Sequence, residues 1–571
     1  MRSNRQKYTI QLLSITIIII LLNTLSSVWF HRFDLTKEKR FSLSETTKEL
    51  LTVIDDYIYI EVYLEGDFPS GIERLSLETE YLLEEFRSQN PLIKYSFINP
   101  SENTDENTRN EIINQLFEKG LNPTTLQIKE GNGYSEKIII PGAIVKYGAQ
   151  EFPISLLKNE LANTPEQNIE KSIQELEYEF TNAINHLTDP IKQKIGFISG
   201  HGELEELEIE DLFNTLSEQY ILDQINLREF DTSPSGQPDL MKKLRDLKSK
   251  DLLILAKPKN KFENLDKYFI DQYVMSGGKM IWLIDATNAD MDSLSNSGSF
   301  LVQSLSRDLN LEDLLFKYGV RINSNLIQDV SSSKIPIPTS FTNNIPKWEL
   351  VPWNYFPVAI PGTNHPITRN LNAVKFDFAG SIDTLKTQTK INKTLLLQTT
   401  PYTKLIKTPY KVNLKAALKA PLKEEYNNGR QTLAVLLEGN FESLFKNRIN
   451  KLSTKLPFEE TSKPTKMIVI SDGDLVKNQI SRGVSLPLGY DKYEKRQYGN
   501  KVFILNAIDF LLNEDALINI RSRELSIRGL NVQKIARQKR FWQIMNIGMP
   551  ILMMIIFGVM KQYLRRKKYE K

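Results

Sequence analysis

Two uncharged runs, one at each end, constrain this chain more than anything between them. Residues 8–30 read YTIQLLSITIIIILLNTLSSVWF. As a helix this run measures about 34 Å, enough to cross a hydrocarbon core of roughly 30 Å. The rival reading is a cleaved signal peptide, but Val28-Trp29-Phe30 is not the small-residue pattern that a signal peptidase takes. At the other end residues 541–560, FWQIMNIGMPILMMIIFGVM, carry interface aromatics at Phe541 and Trp542 and a Pro550 that a spanning helix tolerates. A buried core helix is the alternative there. Basic clusters at both ends of this run favour a span.

Two spans place both termini on one side and everything between them on the other. Arg2, Arg5 and Lys7 precede the first run against Arg32, Lys37, Lys39 and Arg40 just after it, and Lys561, Arg565, Arg566, Lys567, Lys568 and Lys571 follow the second against Arg537, Lys539 and Arg540 just before it, so the count discriminates mainly through the tail. The positive-inside rule therefore leans toward cytoplasmic termini, with an extracytoplasmic body in the periplasm of a cell bounded by an inner membrane. Residues 31–540 hold 64 Lys and Arg against 69 Asp and Glu. A mildly acidic body offers no field to nucleic-acid phosphates, so DNA and RNA binding are set aside. The chain has no cysteine, which removes disulfides, thiolate metal sites and thiol nucleophiles.

The 571 residues exceed what one hydrophobic core usually serves. Ser42 and Glu45 have capping-box spacing ahead of a short helix ending near Ile54. YIYIEVYL at 57–64 alternates like a strand with one core face. A helix, the strand IKYSFI, a helix closing on Gly120 and three strands (TTLQIKE, EKIII, AIVKYG) complete an alternating β/α order with an antiparallel finish. That order predicts a thioredoxin-like α/β domain over 38–160, without redox function because Cys-x-x-Cys is absent. Ile169, Ile173, Leu176, Phe180, Ile184 and Leu187 mark a helix within 161–190, read as a stiff connector. From 191 to 330 strands (KIGFISG, YILDQINL, DLLILAKP, KMIWLID) alternate with helices, which predicts a flavodoxin-like doubly wound domain. That domain is also similar to glutamine-amidotransferase-like folds, whose cysteine nucleophile this chain lacks. Residues 331–520 read as continued α/β structure. Pro336, Pro338, Pro346, Pro352, Pro357, Pro361 and Pro366 should break any long element there, and TLAVLLEG, KMIVISDGD and a buried helix over 500–512 should follow. A basic juxtamembrane segment (521–540), the second span and a basic tail (561–571) end the chain.

No Gly-x-x-x-x-Gly-Lys-Ser/Thr occurs, so the chain is not itself an ATPase. Gly200-His201-Gly202-Glu203 leaves a strand and opens a helix at the carboxyl edge where doubly wound sheets bind ligands. Two glycines permit close backbone approach there. The five further acids up to Asp211 make it a poor phosphate cradle, and a structural turn is the plainer reading. In the same acidic run, Leu204, Leu207 and Leu212 should face inward. Asp472-Gly473-Asp474 is a second strand-end loop, whose paired carboxylates suit Mg²⁺ or Ca²⁺ but lack an evident third ligand and are also ordinary turn residues. The four histidines form no zinc spacing and no Gly-x-Ser-x-Gly elbow occurs. The expectation is no catalytic residue, no metal and no cofactor, with Gly200, His201, Gly202, Glu203, Asp472 and Asp474 as candidate ligand or coupling positions.

The anchor followed by RFDLTKEKRFSLSETTKELL, then VYLEGDFPSGIERL, FINPSEN, KIGFISGHGELE, ISDGD and NKVFILNAIDFLLNEDALINIRSRE, resembles the gliding-motility-associated ABC transporter auxiliary (substrate-binding) protein family, GldG, over nearly the whole chain. The resemblance implies a partnership with an ABC permease and a cytoplasmic ATPase in gliding bacteria, and the leading expectation is a non-enzymatic subunit of that complex, with a homo-oligomer of this chain within it as a further partner expectation. A membrane-anchored envelope hydrolase, built around His201 and Asp472, and a mechanical scaffold are the competing readings.

Overall fold

A computed structural model describes residues 12–21, 42–100, 106–121, 123–130, 133–158, 164–188, 192–232, 237–296, 301–342, 345–362, 365–368, 371–419, 421–448, 456–512 and 532–569. The chain divides into two units, the terminal segments (1–40 and 524–571) and a body (41–523).

In the terminal unit, Leu12–Leu21 is helical and exposed. The remainder of the expected first span lies outside the described residues. The helix Val532–Tyr569 contains Phe541–Lys567, the one described helix long and apolar enough to cross a membrane, and Pro550 lies inside it.

The body begins with a short helix, Glu45–Val53, capped by Ser44, whose side chain accepts from the Thr47 N–H at 3.1 Å. This cap lies two residues after the expected one, and Glu177, from a distant helix, accepts the Ser44 N–H at 2.6 Å. A four-stranded sheet follows in the order Ile93–Phe97, Ile58–Val62, Gly142–Tyr147, Gln150–Ser155, with the first pair parallel and the others antiparallel. Ile58, Ile60 and Val62 point into its core and Tyr59 points out, the period of two that the sequence carries. The strand Gln150–Ser155 was not expected. Helices Ser70–Gln89 and Pro165–Thr188 both supply this core, and Phe86 meets Phe180 edge-on at 6.4 Å. The second of these helices, expected as a stiff connector, supplies part of this core. Its apolar stripe (Ile173, Leu176, Phe180, Ile184) is buried in the first domain.

The larger sheet has ten strands. Five are parallel, in the order Ile221–Asn226, Lys194–Ser199, Leu252–Ala256, Lys279–Leu283, Thr465–Ile470. Antiparallel strands Thr432–Gly439, Ile391–Gln398, Ile345–Pro361 and Ser332–Thr342 extend it, and the two-residue strand Val374–Lys375 pairs with Ile345–Pro361 as the tenth. One sheet thus runs across the boundary expected at 330, because Thr465–Ile470 pairs with Lys279–Leu283. Successive residues of the parallel strands feed opposite cores. Leu252, Ile254, Ile281, Ile468 and Ile470 pack with helices Glu210–Ser217 and Asn500–Leu512, while Leu253, Leu255, Met280, Trp282 and Val469 pack with helices Leu240–Lys248 and Asn264–Met275. Each fully buried aliphatic of this kind contributes about 1.5–3 kcal/mol of transfer free energy. That two-sided covering explains why these strands read as unbroken apolar runs.

Two expectations fail for identifiable reasons. Pro352 and Pro357 do not break the chain but lie within the 17-residue strand Ile345–Pro361, and Pro336 and Pro338 lie in the terminal strand Ser332–Thr342, where one missing N–H is tolerated. Leu207 is exposed, because residues Glu206–Glu208 form a 3₁₀ turn that shifts the helical period before Leu212.

Candidate functional site

Every parallel strand ends at the same edge, and charged residues stand directly after the apolar ones there. Lys257 follows Leu252–Ala256, Asp285 comes two residues after Lys279–Leu283, and Ser471-Asp472-Gly473-Asp474 follows Thr465–Ile470. The segment from Val374 to Ser381 crosses this edge. Its Asp377 N–H donates to Asp472 Oδ2 at 2.7 Å, and its Gly380 N–H donates to the Ser471 carbonyl at 3.2 Å. Lys257 (φ +56°) and Phe378 (φ +52°) both hold left-handed backbone, a strain that the packed surroundings must maintain.

Three carboxylates converge. Asp285 Oδ1 accepts the Gly473 N–H at 2.6 Å and Asp472 Oδ1 accepts the Asp474 N–H at 2.7 Å. Asp285, Asp472 and Asp474 each bring an oxygen within 4.8 Å of the others. Lys257 Nζ hydrogen-bonds Asp474 and stands 3.7 Å from Asp285 Oδ2, where Arg307 also stands at 3.7 Å. Around them Lys375 pairs with Asp491 at 2.9 Å and Asp377 at 3.6 Å, and Lys477 pairs with Glu208 at 3.0 Å and Asp292 at 3.3 Å.

Burial drives the electrostatics. It pushes the Asp472 carboxyl well above the usual range, and the neighbouring charges of Asp474, Asp285 and Asp377 push it the same way. Asp285 and Asp377 are also raised by burial, against the pull of Lys257 and Lys375 respectively. Burial opposes the Lys257 ammonium, but the attraction of Asp474 and Asp285 outweighs it and holds that group above its ordinary value. A cleft of about 820 Å³ opens beside the cluster, reached by Lys257, Asp377, Asp474 and Lys477 on its charged side and by Trp348, Phe356 and Phe378 on its apolar side. The arrangement can hold a cation, orient a polar ligand against an apolar wall, or do both.

The Gly200–Glu203 loop sits at the same edge but is closed. Gly200 (φ +107°) and Gly202 (φ +73°) take left-handed backbone, and a Cβ on Gly200 would lie 2.4 Å from Asn226 Oδ1. The His201 imidazole is fully buried and stacked on Phe262 with ring centroids 3.7 Å apart. Its Nε2 lies 3.0 Å from Asp266 Oδ2, and the Glu203 carboxylate accepts the His201 N–H at 2.7 Å. Of the six sequence candidates, then, Asp472 and Asp474 meet in the acidic cluster. Gly200, His201, Gly202 and Glu203 make a neighbouring turn whose histidine faces inward. Lys257, Asp285, Lys375 and Asp377 were missed. For the first two the signal was present, a charged residue at the end of LLILA and of MIWLI.

Residues 192–507 match the sequence profile of the family described as "ABC-type uncharacterized transport system", and residues 37–146 match a domain of unknown function, DUF7088. A Borreliella burgdorferi protein described only as "Uncharacterized protein" is 22% identical over 561 residues, covering 97% of each chain. Among solved structures, the mmIFT52 N-terminal domain superposes with a TM-score of 0.32 at 13% identity, covering 57% of this chain and 99% of that one, too shallow a likeness to carry an argument.

Proposed function

This chain belongs to the family of ABC-type transport-system auxiliary proteins, and from that premise we propose that it is a non-enzymatic, membrane-anchored subunit that couples a large extracytoplasmic body to an ABC permease and a cytoplasmic ATPase. The carrying observation is the family match over residues 192–507, the stretch that builds the large sheet and its cleft, in a chain that ends in a helix able to cross a membrane. The chain lacks a phosphate-binding loop, so hydrolysis of ATP falls to another subunit.

In this reading both termini lie in the cytoplasm, the four-stranded unit is thioredoxin-like and the parallel part of the large sheet is flavodoxin-like. Gliding motility is the process that the GldG resemblance attaches to it. A body tethered at both ends cannot diffuse to collect cargo and return, so permanent association with the permease is the working arrangement. The hydrolase alternative loses support from the enclosure of His201, which presents no ring nitrogen to a substrate.

Mild-detergent purification of the tagged full-length protein from its native membrane, with mass spectrometry of what is retained, tests the proposal. A permease and an ATPase in fixed ratio are expected. Recovery of neither, with motor or envelope components in their place, would transfer the role to the scaffold reading.

A further inference from the structure

We propose that the carboxyl-edge cleft binds a neutral saccharide, with a sugar ring lying on Trp348 and its hydroxyls donating to Asp377 and Asn478. The inference does not rest on the partnership with a permease and an ATPase, which co-purification tests separately. The cleft, at about 820 Å³, falls within the range of about 300–1,000 Å³ usual for small-molecule sites.

The apolar wall suits a flat, uncharged face. In the pairing of strands Ser332–Thr342 and Ile345–Pro361, Trp348 lies opposite Pro338 and Leu350 opposite Pro336. Residues paired in this way, and those two apart along a strand, share a sheet face. Two proline rings and an indole therefore stand together, and all three line the cleft. Trp348 is 59% exposed, so most of its apolar surface is still in water and available to a ligand. Two other aromatic rings of the cleft already carry cations, Lys375 at 4.9 Å from the centre of the Phe356 ring and Lys492 at 5.2 Å from that of Tyr493. Among the described residues no ring or cation stands on Trp348.

The polar wall has acceptors to spare. Six carboxylates and four ammonium groups line the cleft among the described residues. Lys257, Lys375 and Lys477 are engaged in ion pairs, and Lys492 Nζ donates to the Ile480 carbonyl at 2.9 Å. Two acceptors have no such partner. Asn478 is 1% exposed and its Nδ2 donates to the Leu486 carbonyl at 2.6 Å, yet its Oδ1 accepts nothing. The Asp377 carboxylate has Lys375 at 3.6 Å, outside hydrogen-bond reach. Acceptors in that state carry a desolvation cost that a donating ligand would recover. An anion would meet the acid excess, and a cation would compete with four ammonium groups already in place. A neutral sugar meets neither obstacle, because its hydroxyls donate around the rim of a ring whose C–H face packs on an indole.

The test uses the full-length protein in lipid nanodiscs, which avoids detergents with sugar headgroups. Screening against an array of neutral oligosaccharides built from hexoses, N-acetylhexosamines and deoxyhexoses should find binders, and titration calorimetry with the strongest should give one site per chain with a Kd below about 1 mM. Trp348→Ala, at an exposed position, and Asp377→Asn, each checked for native circular dichroism, should weaken that binding about tenfold or more. No binding of any array member at millimolar concentration overturns the proposal without reference to a variant. Binding that persists unchanged in both folded variants overturns it as well, because the sugar then sits elsewhere. Displacement of the bound sugar by tetramethylammonium at equal concentration would also overturn it, in favour of an organic cation on Trp348.

Discussion

Gly473 and Lys257 approach so closely that a Cβ on Gly473 would lie 2.8 Å from the Lys257 Cα and 2.5 Å from its Cβ. The glycine is required for space and not for its own backbone angle, which is φ −78°. Lys257 cannot withdraw, since its left-handed backbone sits at the end of a central strand and its ammonium is committed to Asp474. Gly473→Ala should therefore cost about 1–3 kcal/mol, the usual range for overpacking a tight contact, measured by denaturant unfolding in detergent. Gly483→Ala, where no atom lies within 4 Å of the added Cβ, provides the contrast. There the cost comes from its positive φ alone.

His201 gives a pH dependence of defined sign. Burial alone would lower its pKa, but the hydrogen bonds and charges of Asp266 and Glu203 outweigh that and raise it. A histidine with a raised folded pKa contributes stability that is complete below the unfolded value of about 6.5 and is lost as pH rises through the folded value. The unfolding midpoint should fall between pH 6.5 and the alkaline side of neutrality, and His201→Gln should flatten that slope. His201→Ala should cost about 3 kcal/mol, because it leaves the Asp266 carboxylate buried beside an empty ring site. A pH profile of His201→Gln identical to that of the parent would remove His201 as its source.

The difference between what sequence and structure reveal lies in range. Apolar strands such as Leu252–Ala256 and Lys279–Leu283 were legible because both faces are covered and the run needs no partner to be recognised. Their neighbours were not legible. Nothing in KMIVI announces that Thr465–Ile470 inserts beside Lys279–Leu283, nor that Asp285 thereby meets Asp472. The helix Pro165–Thr188 showed its stripe but not what covers it. Prolines at 352 and 357 were read through their local rule, which relaxes here because the far side of Ile345–Pro361 is paired only over residues 358–361. In the candidate site, the aspartate pair was visible as a motif. The lysines and Asp377 came into it only through packing.

Asp509, on the helix Asn500–Leu512, accepts hydrogen bonds from Tyr178 and Tyr220 at 3.1 Å each. Tyr178 belongs to the helix Pro165–Thr188, so this carboxylate joins the first α/β domain to the large sheet. Tyr178→Phe should cost about 1.5–3 kcal/mol, as for hydrogen bonds to a charged acceptor. Asp509→Ala removes both bonds at once and should cost more than either tyrosine change. A double-mutant cycle of Tyr178→Phe with Asp509→Ala should return a coupling of 0.5 kcal/mol or more. Strict additivity in that cycle would show that the bond carries no stability between the two parts.

Truncation separates the two-anchor reading from a single anchor. The helix Phe541–Lys567 is apolar enough to span by itself, so removing residues 531–571 leaves the N-terminal run as the sole candidate anchor. If residues 8–30 also span, the truncated chain stays in the membrane pellet after alkaline carbonate extraction, and only loss of both runs releases the body. If the truncated chain becomes soluble, the first run is not a stable anchor, and the body is held from its carboxyl end alone. Placing a cysteine in the body as Ser485→Cys, in a chain with no other thiol, then reports sidedness. Labelling by a membrane-impermeant maleimide in intact spheroplasts is expected for an extracytoplasmic body, and labelling only after lysis would put the cleft and its acids in the cytoplasm.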